Sequence, residues 1–361
     1  MALPRARSSS FLSSCFSVLQ KYPVTTAAAA TAGLLAITAV VNRQLAQKAQ
    51  RDNPPKGQFI EVDGVRLHYV ERGAGRPLVL FHGNGSMIQD FESSGLIDLA
   101  AENYRVIVFD RPGFGHSSRP RDVVWTPQAQ ANLFANALDR LNVRKAIILG
   151  HSWGASVAMA MEITRPALVE ALVLASGYYF PTVRTDVLAL SAPAIPGLGD
   201  IVSFTISPIV SRLMWPAMLR KMFGPRSVPQ KFAGFPKEMA VRPSQIRASA
   251  AETALMIPAA FSSAKTYDEL TMPIIIIAGE DDRIIDIDEQ SARLHDEVKQ
   301  SKMHRIVSAG HMVQQSATGD VMAAIDEAAA ETLHSREFLT VATTRVSAEQ
   351  RPDVPALTSA S

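Results

Sequence analysis

The stretch Ala146-Ile147-Ile148-Leu149-Gly150-His151-Ser152-Trp153-Gly154-Ala155-Ser156-Val157-Ala158-Met159-Ala160-Met161-Glu162-Ile163 decides how the rest of the chain is read. Its first four residues are apolar without alternation, the pattern of a strand buried on both faces. The residues after Gly154 follow a helical pattern. Ser152 therefore stands on a sharp strand-to-helix turn. Glycines on either side allow the close packing such a turn needs, and the amino end of the helix stabilises negative charge developing at the hydroxyl. The competing reading is a helix N-cap serine in an inert turn. The position of G-x-S-x-G between a buried strand and a helix favours a nucleophile.

Working outward, further apolar runs occur at 77–81 (PLVLF), 105–109 (RVIVF), 145–149 (KAIIL), 171–175 (ALVLA), 273–277 (PIIII) and 304–307 (HRIV). Amphipathic stretches such as 127–141 and 153–164 lie between them. This rhythm predicts an α/β fold with a mostly parallel central sheet and helices on both faces. The alternating runs of residues 58–72 meet at Asp63-Gly64, which suits the positive φ angles of a tight hairpin turn and predicts an antiparallel opening. No strand run interrupts residues 178–266, where Pro, Met, Phe and Trp accumulate; the expectation is a helical insertion over the carboxyl edge of the sheet. The core then comprises residues 58–177 and 267–334. Residues 335–361 lose their period and read as a disordered tail.

The formal charge of the 361-residue chain is +2, yet residues 1–51 hold six Lys or Arg and no acid, leaving 30 basic against 34 acidic residues beyond. The folded body is slightly acidic and has no basic stripe interleaved with aromatics, so nucleic acid is not expected as a partner. Cys15 is the sole cysteine, which excludes an intramolecular disulfide framework, a thiolate cluster or a cysteine nucleophile in the body. No H-E-x-x-H pattern points to zinc. Neither metal nor cofactor is expected.

Residues 24–41, VTTAAAATAGLLAITAVV, carry no charge and as a helix rise about 27 Å, nearly the thickness of a bilayer core. After a basic segment at 1–23, this stretch is read first as an uncleaved, single-pass membrane anchor, being longer than a removable signal core. A cleaved secretory signal and an organelle presequence are the alternatives. Basic residues on both sides leave its orientation undetermined. Residues 42–57, ending Asp52-Asn53-Pro54-Pro55-Lys56-Gly57, read as a solvated linker.

From about residue 58 to 334 the chain resembles the α/β-hydrolase family. Gly150-His151-Ser152-Trp153-Gly154 carries the likeness, with His82-Gly83-Asn84-Gly85 after LVLF and Asp110-Arg111-Pro112-Gly113-Phe114-Gly115-His116-Ser117 after the next strand. The resemblance makes the insertion a cap domain and Ser152 the nucleophile. It implies an oxyanion hole built from the backbone N–H groups of Asn84 and Trp153. Of eight histidines, His311 in Ser308-Ala309-Gly310-His311-Met312 occupies the place of the family's base. Asp282, three positions after Gly279, occupies that of its acid, with Asp281 and Asp286 in reserve. His151 is read as structural, His82 as a brace of the oxyanion loop, and His68, His116, His295, His304 and His334 as surface or packing residues. Asp110 is read as bonding its own turn.

A serine attacking saturated carbon would leave an ether that water does not cleave, so Ser152 points to an acyl carbon rather than to dehalogenation or epoxide opening. A carboxylic ester of a hydrophobic small molecule or lipid is expected first; amides, thioesters and a carbon–carbon bond beside a ketone follow. The insertion carries Met214, Trp215, Met218, Met222, Phe223, Phe232, Phe235, Met239, Met256 and Phe261, which read either as the cap's own core or as an apolar roof over the site. The rival readings are a perhydrolase or non-metal haloperoxidase using the same triad, and a non-catalytic ligand-binding or membrane-tethered protein on this fold.

Overall fold

A computed structural model of the chain describes residues 22–349, apart from 185, 186, 188 and 189. The antiparallel opening is present: β1 (Gln58–Val62) pairs with β2 (Val65–Arg72), and Asp63 and Gly64 turn between them at φ of 50° and 77°. The remaining strands are β3 (Arg76–Phe81), β4 (Tyr104–Phe109), β5 (Ala146–His151), β6 (Val169–Ala175), β7 (Ile274–Gly279) and β8 (Ser301–Ile306). They form one eight-stranded sheet in the order β1-β2-β4-β3-β5-β6-β7-β8, antiparallel at β1–β2 and β2–β4 and parallel elsewhere.

Strands without alternation bury both faces, and successive side chains serve opposite layers. Val79, Phe81, Ile107, Phe109, Ile148 and Ile276 pack with α4 (Pro127–Arg140) and α5 (Trp153–Thr164). Their neighbours Leu78, Leu80, Val106, Val108, Ile147 and Ile275 face the other layer, formed by α2 (Ile88–Ser94), α3 (Leu96–Ala100) and α12 (Thr318–Glu349). Strand order reverses at β3, which lies between β4 and β5. Loops leaving the carboxyl ends of β3 and β5 diverge there and open a crevice.

Between β6 and β7 no described residue is in a strand; the cap consists of α6 (Leu198–Phe204), α7 (Ile206–Phe223), α8 (Lys237–Ala240) and α9 (Pro243–Ser263). The later core adds α10 (Arg293–Glu297) and α11 (Val313–Ser316). Two boundaries differ from expectation. The apolar stretch belongs to α1 (Pro23–Asp52), a helix of 30 residues that continues through most of the supposed linker. Arg43 to Asp52, RQLAQKAQRD, are good helix formers, so the helix outlasts its apolar part and ends just before Pro54-Pro55. Likewise α12 runs to Glu349, past residue 335, while 350–361 lie outside the described residues, as do 1–21 of the basic segment.

Candidate active site

Ser152 alone separates β5 from α5, at φ 54° and ψ −118°. Reversing the chain in one residue requires this sparsely populated conformation, and strain of this kind costs about 1–3 kcal/mol. The Ser152 N–H, bonded to the Ala175 carbonyl at 2.8 Å, helps to hold it. A Cβ at Gly150 would collide with the main chain of Gly154, and one at Gly154 with the Phe81 carbonyl, so both glycines are steric requirements of the turn.

His311 follows β8 in a loop, and its Nδ1 lies 2.7 Å from Asp282 Oδ2. The other carboxylate oxygen of Asp282 accepts from the N–H groups of Ile284 (2.7 Å) and Ile285 (3.0 Å). Burial by itself would raise the Asp282 carboxyl. His311, by charge and hydrogen bond, and the two amides outweigh it and hold the group below the ordinary carboxylate range. Asp282 thus remains an acceptor that fixes the imidazole with its proton on Nδ1, leaving Nε2 as a base. Ser152 and His311 line one cavity, with no direct hydrogen bond between them. Asp281 and Asp286 form no hydrogen bond or ion pair with His311; Asp286 caps the N–H groups of Asp288 and Glu289, each at 2.9 Å.

The loop after β3 meets the serine from the other side. A Cβ at Gly83 would stand 3.1 Å from Ser152 Cβ and crowd it, so glycine suits the close approach of this loop. Among the described residues, the amides of Asn84 and Trp153 donate to no other backbone group. The Asn84 side chain instead ties the loop to the cap, its Nδ2 donating to Ser249 O (3.1 Å) and Thr253 Oγ1 (3.0 Å) on α9. The Trp153 indole is buried in the core beneath the sheet and does not line the cavity.

Behind the loop lies a residue whose part the sequence did not reveal. Arg111, wholly buried, donates through Nε to His82 O (2.8 Å) and through Nη2 to Gly83 O (3.0 Å). Its remaining N–H groups reach Gln130 Oε1 (2.9 Å) and both oxygens of Glu252 on α9. All five guanidinium donors are engaged, and the loop His82-Gly83-Asn84-Gly85 is clamped between the sheet and the cap. His82 braces the same loop: its Nε2 accepts from Arg111 N (3.0 Å), so its Nδ1 donates to Gly83 O (2.8 Å). Burial, then the Arg111 charge, lowers it to about 3 and keeps it neutral.

His151 Nε2 lies 3.1 Å from the His311 carbonyl, and Gln314 Nε2 lies 3.3 Å from His151 Nδ1. Gln314 also donates to Asp90 Oδ2 (2.8 Å), and Gln315 to Asp90 Oδ1 (2.9 Å). This buried chain holds the His311 loop against the serine turn; Asp90 and the two glutamines had no motif to mark them. Asp110 bonds its own turn through His116 N (2.9 Å), and it also accepts from Ile88 N (2.9 Å) and from His68 Nδ1 (2.7 Å). Of the two expectations for His68, surface or packing, the structure shows the second: it is a buried partner of Asp110. Burial would raise Asp110, and the His68 hydrogen bond and charge bring it below the ordinary value.

The cavity above Ser152 measures about 150 Å³ and takes its roof from Trp215, Met218, Leu219, Met222, Phe232 and Phe235. Both readings of the cap residues therefore hold in part: Phe223 and Met239 form cap core with Ala49 of α1, whereas Met214 and Phe261 are exposed. Among the described residues no group of three or more His, Cys, Asp or Glu side chains is arranged to hold a metal ion.

Comparison with known proteins agrees with this architecture. A 2-hydroxymuconate semialdehyde hydrolase of Pseudomonas sp. (strain CF600) is 27% identical over 297 residues, covering 78% of this chain and 99% of the relative. Among solved structures, a thermophilic esterase from Thermogutta terrifontis superposes with a TM-score of 0.65 at 22% identity, over 76% of this chain and 99% of its own. A membrane phospholipase A described as a bacterial virulence factor does so at 0.58 and 21%, over 88% and 97%. The family model for the alpha/beta hydrolase fold matches residues 76–317, the span that carries the serine turn, the His311 loop and the cap, and the chain belongs to that family as a hydrolase.

Proposed function

We propose that this hydrolase cleaves an acyl bond, first among them the carboxylic ester of a hydrophobic small molecule or lipid, through an acyl-enzyme on Ser152. In this reading Ser152 Oγ attacks the carbonyl carbon as His311 Nε2 takes its proton, and Asp282 stabilises the imidazolium. The Asn84 and Trp153 N–H groups receive the oxyanion, an interaction of which each donor is typically worth about 10² to 10³ in turnover. His311 then returns the proton to the departing alcohol, and water, deprotonated by the same imidazole, releases the acid and restores the serine.

The observation that carries the ester over its rivals is the cavity wall. Its roof is thioether, aliphatic and aromatic, and apart from His151 and His311 it presents no group able to bear positive charge. A carbon–carbon bond beside a ketone is the second reading, because the semialdehyde hydrolase aligns over nearly its whole length. Muconate-type substrates are carboxylates, however, and an apolar roof without Lys or Arg offers such an anion no partner. The helix α1 has an 18-residue window of mean hydropathy 1.9, none of it buried, and we read it as a membrane anchor. A fluorophosphonate should label the wild type and not Ser152→Ala; equal labelling of both removes the assignment. Graded p-nitrophenyl esters and a dienoate ketone, offered side by side, separate the two bond classes.

A further inference from the structure

A helix at the surface of a soluble protein ordinarily presents one apolar stripe to the core and a polar face to water. The helix α7 does otherwise. Trp215, Met218, Leu219 and Met222 line the cavity, while Ile206, Ile209, Val210, Leu213 and Met214 stand exposed, Leu213 at 75%. Ile201 on α6 is exposed as well. The two helices meet at Thr205 with a bend of 54° and together are long and apolar enough to pass for a broken membrane span. An apolar patch of this extent marks an interaction surface.

The position of α1 identifies the partner. No residue of its apolar stretch from Val24 to Val41 is buried, and Asn42 is the first buried residue after it. Asn42 Nδ2 donates to the carbonyls of Phe204 (3.0 Å) and Thr205 (2.9 Å) at the α6–α7 joint, and Arg212 of α7 donates to Asn42 Oδ1 (3.1 Å). Whatever holds α1 as far as Val41 is thereby brought against α6 and α7. Arg43, exposed at this border, suits the headgroup level of a membrane.

We propose that α6 and α7 are bedded in the lipid leaflet that α1 leaves at Val41, so that an apolar ester enters the cavity sideways from the lipid, past Met218. This rests on the readings of α1 as an anchor and of Ser152 as an acyl-bond hydrolase. Met218 makes the route geometrically direct, since it is both exposed (41%) and part of the cavity wall.

The test uses the full chain with Cys15→Ser, reconstituted in phosphatidylcholine–phosphatidylglycerol vesicles. Single changes Leu34→Cys on α1, Leu213→Cys on α7 and Glu102→Cys at the opposite edge of the sheet carry bimane. Nitroxide on the lipid acyl chains should quench positions 34 and 213 at least about two-fold more than 102. Separately, Leu213→Glu should slow hydrolysis of a long-chain ester carried in the vesicles by about ten-fold, with turnover of p-nitrophenyl butyrate in detergent unchanged. Quenching at 34 with none at 213 overturns the cap surface and leaves the anchor standing. Cross-linking through position 213 in the unlabelled Leu213→Cys protein, with no quenching in the labelled one, assigns the face to a second copy and overturns it equally. Wild type inactive on both esters removes the substrate route and the hydrolase reading together, which the quenching distinguishes from failure of the surface.

Discussion

His151 stands next to Ser152 in the chain, and its ring serves the backbone of His311. Since its Nδ1 accepts from Gln314, its single proton sits on Nε2 and donates to that carbonyl. Burial, then the charge of His311, lowers its pKa from 6.5 to about 3. The native ring is thus neutral while the unfolded one takes up a proton below about 6.5. Its contribution to stability is complete above that value and is lost progressively as pH falls toward 3. His151→Gln keeps a donor without the titration. The stability of wild type minus that of the variant should fall by about 1.4 kcal/mol per pH unit between pH 6 and 4. Urea unfolding of both proteins at pH 7, 6, 5 and 4 reads this difference, from which other titrating groups cancel; a flat difference would mean that the ring is protonated in the fold.

Between elements, the cap is held by polar groups as well as by apolar contact. Glu252 enters from α9 and pairs with Arg111, both wholly buried, and Asn84 reaches the same helix from the oxyanion loop. Breaking a buried pair from one side leaves a charge without compensation, at a cost of about 3–5 kcal/mol. Glu252→Gln should lower unfolding stability by that amount. It should also depress turnover, because Arg111 holds the Gly83 carbonyl beside Ser152, the proposed nucleophile. Unfolding curves and ester assays on the variant check both; an unchanged midpoint would show that Gln130 and the loop carbonyls suffice for the guanidinium. Neither half of this clamp was legible, since Arg111 belongs to a turn read as a unit and Glu252 to the helical insertion, where no motif marks it.

For the molecule as a whole, the junction at Asn42 makes α1 and the cap one unit, with the apolar stretch projecting from the side that roofs the active site. An anchored enzyme of this shape should stay in the membrane pellet on carbonate extraction; release of full-length protein into the supernatant would favour a removed or peripheral segment. On the proposed reading, a membrane on this side would bring a lipid-borne ester within reach of the crevice where the strand order reverses.

The inner strands β3 to β7 were legible because a strand covered on both faces has little room for polar residues, and β1 and β2 because their residues alternate. By contrast β8, at the exposed edge, begins at Ser301, before the run read at 304–307. The serine turn was legible because steric demand restricts its glycines. Asp282 and His311 were reached through the resemblance, and the structure brings them to 2.7 Å. Where α1 ends was misread, for apolarity marks what a bilayer accepts, whereas helix length is governed by backbone propensity and a stop signal. Only tertiary structure decided the Arg111 clamp, the Asp90 chain and the two-sided use of α7. A buried polar group is defined by partners far apart in sequence, and the outward face of a helix is known only once its inward face has been packed.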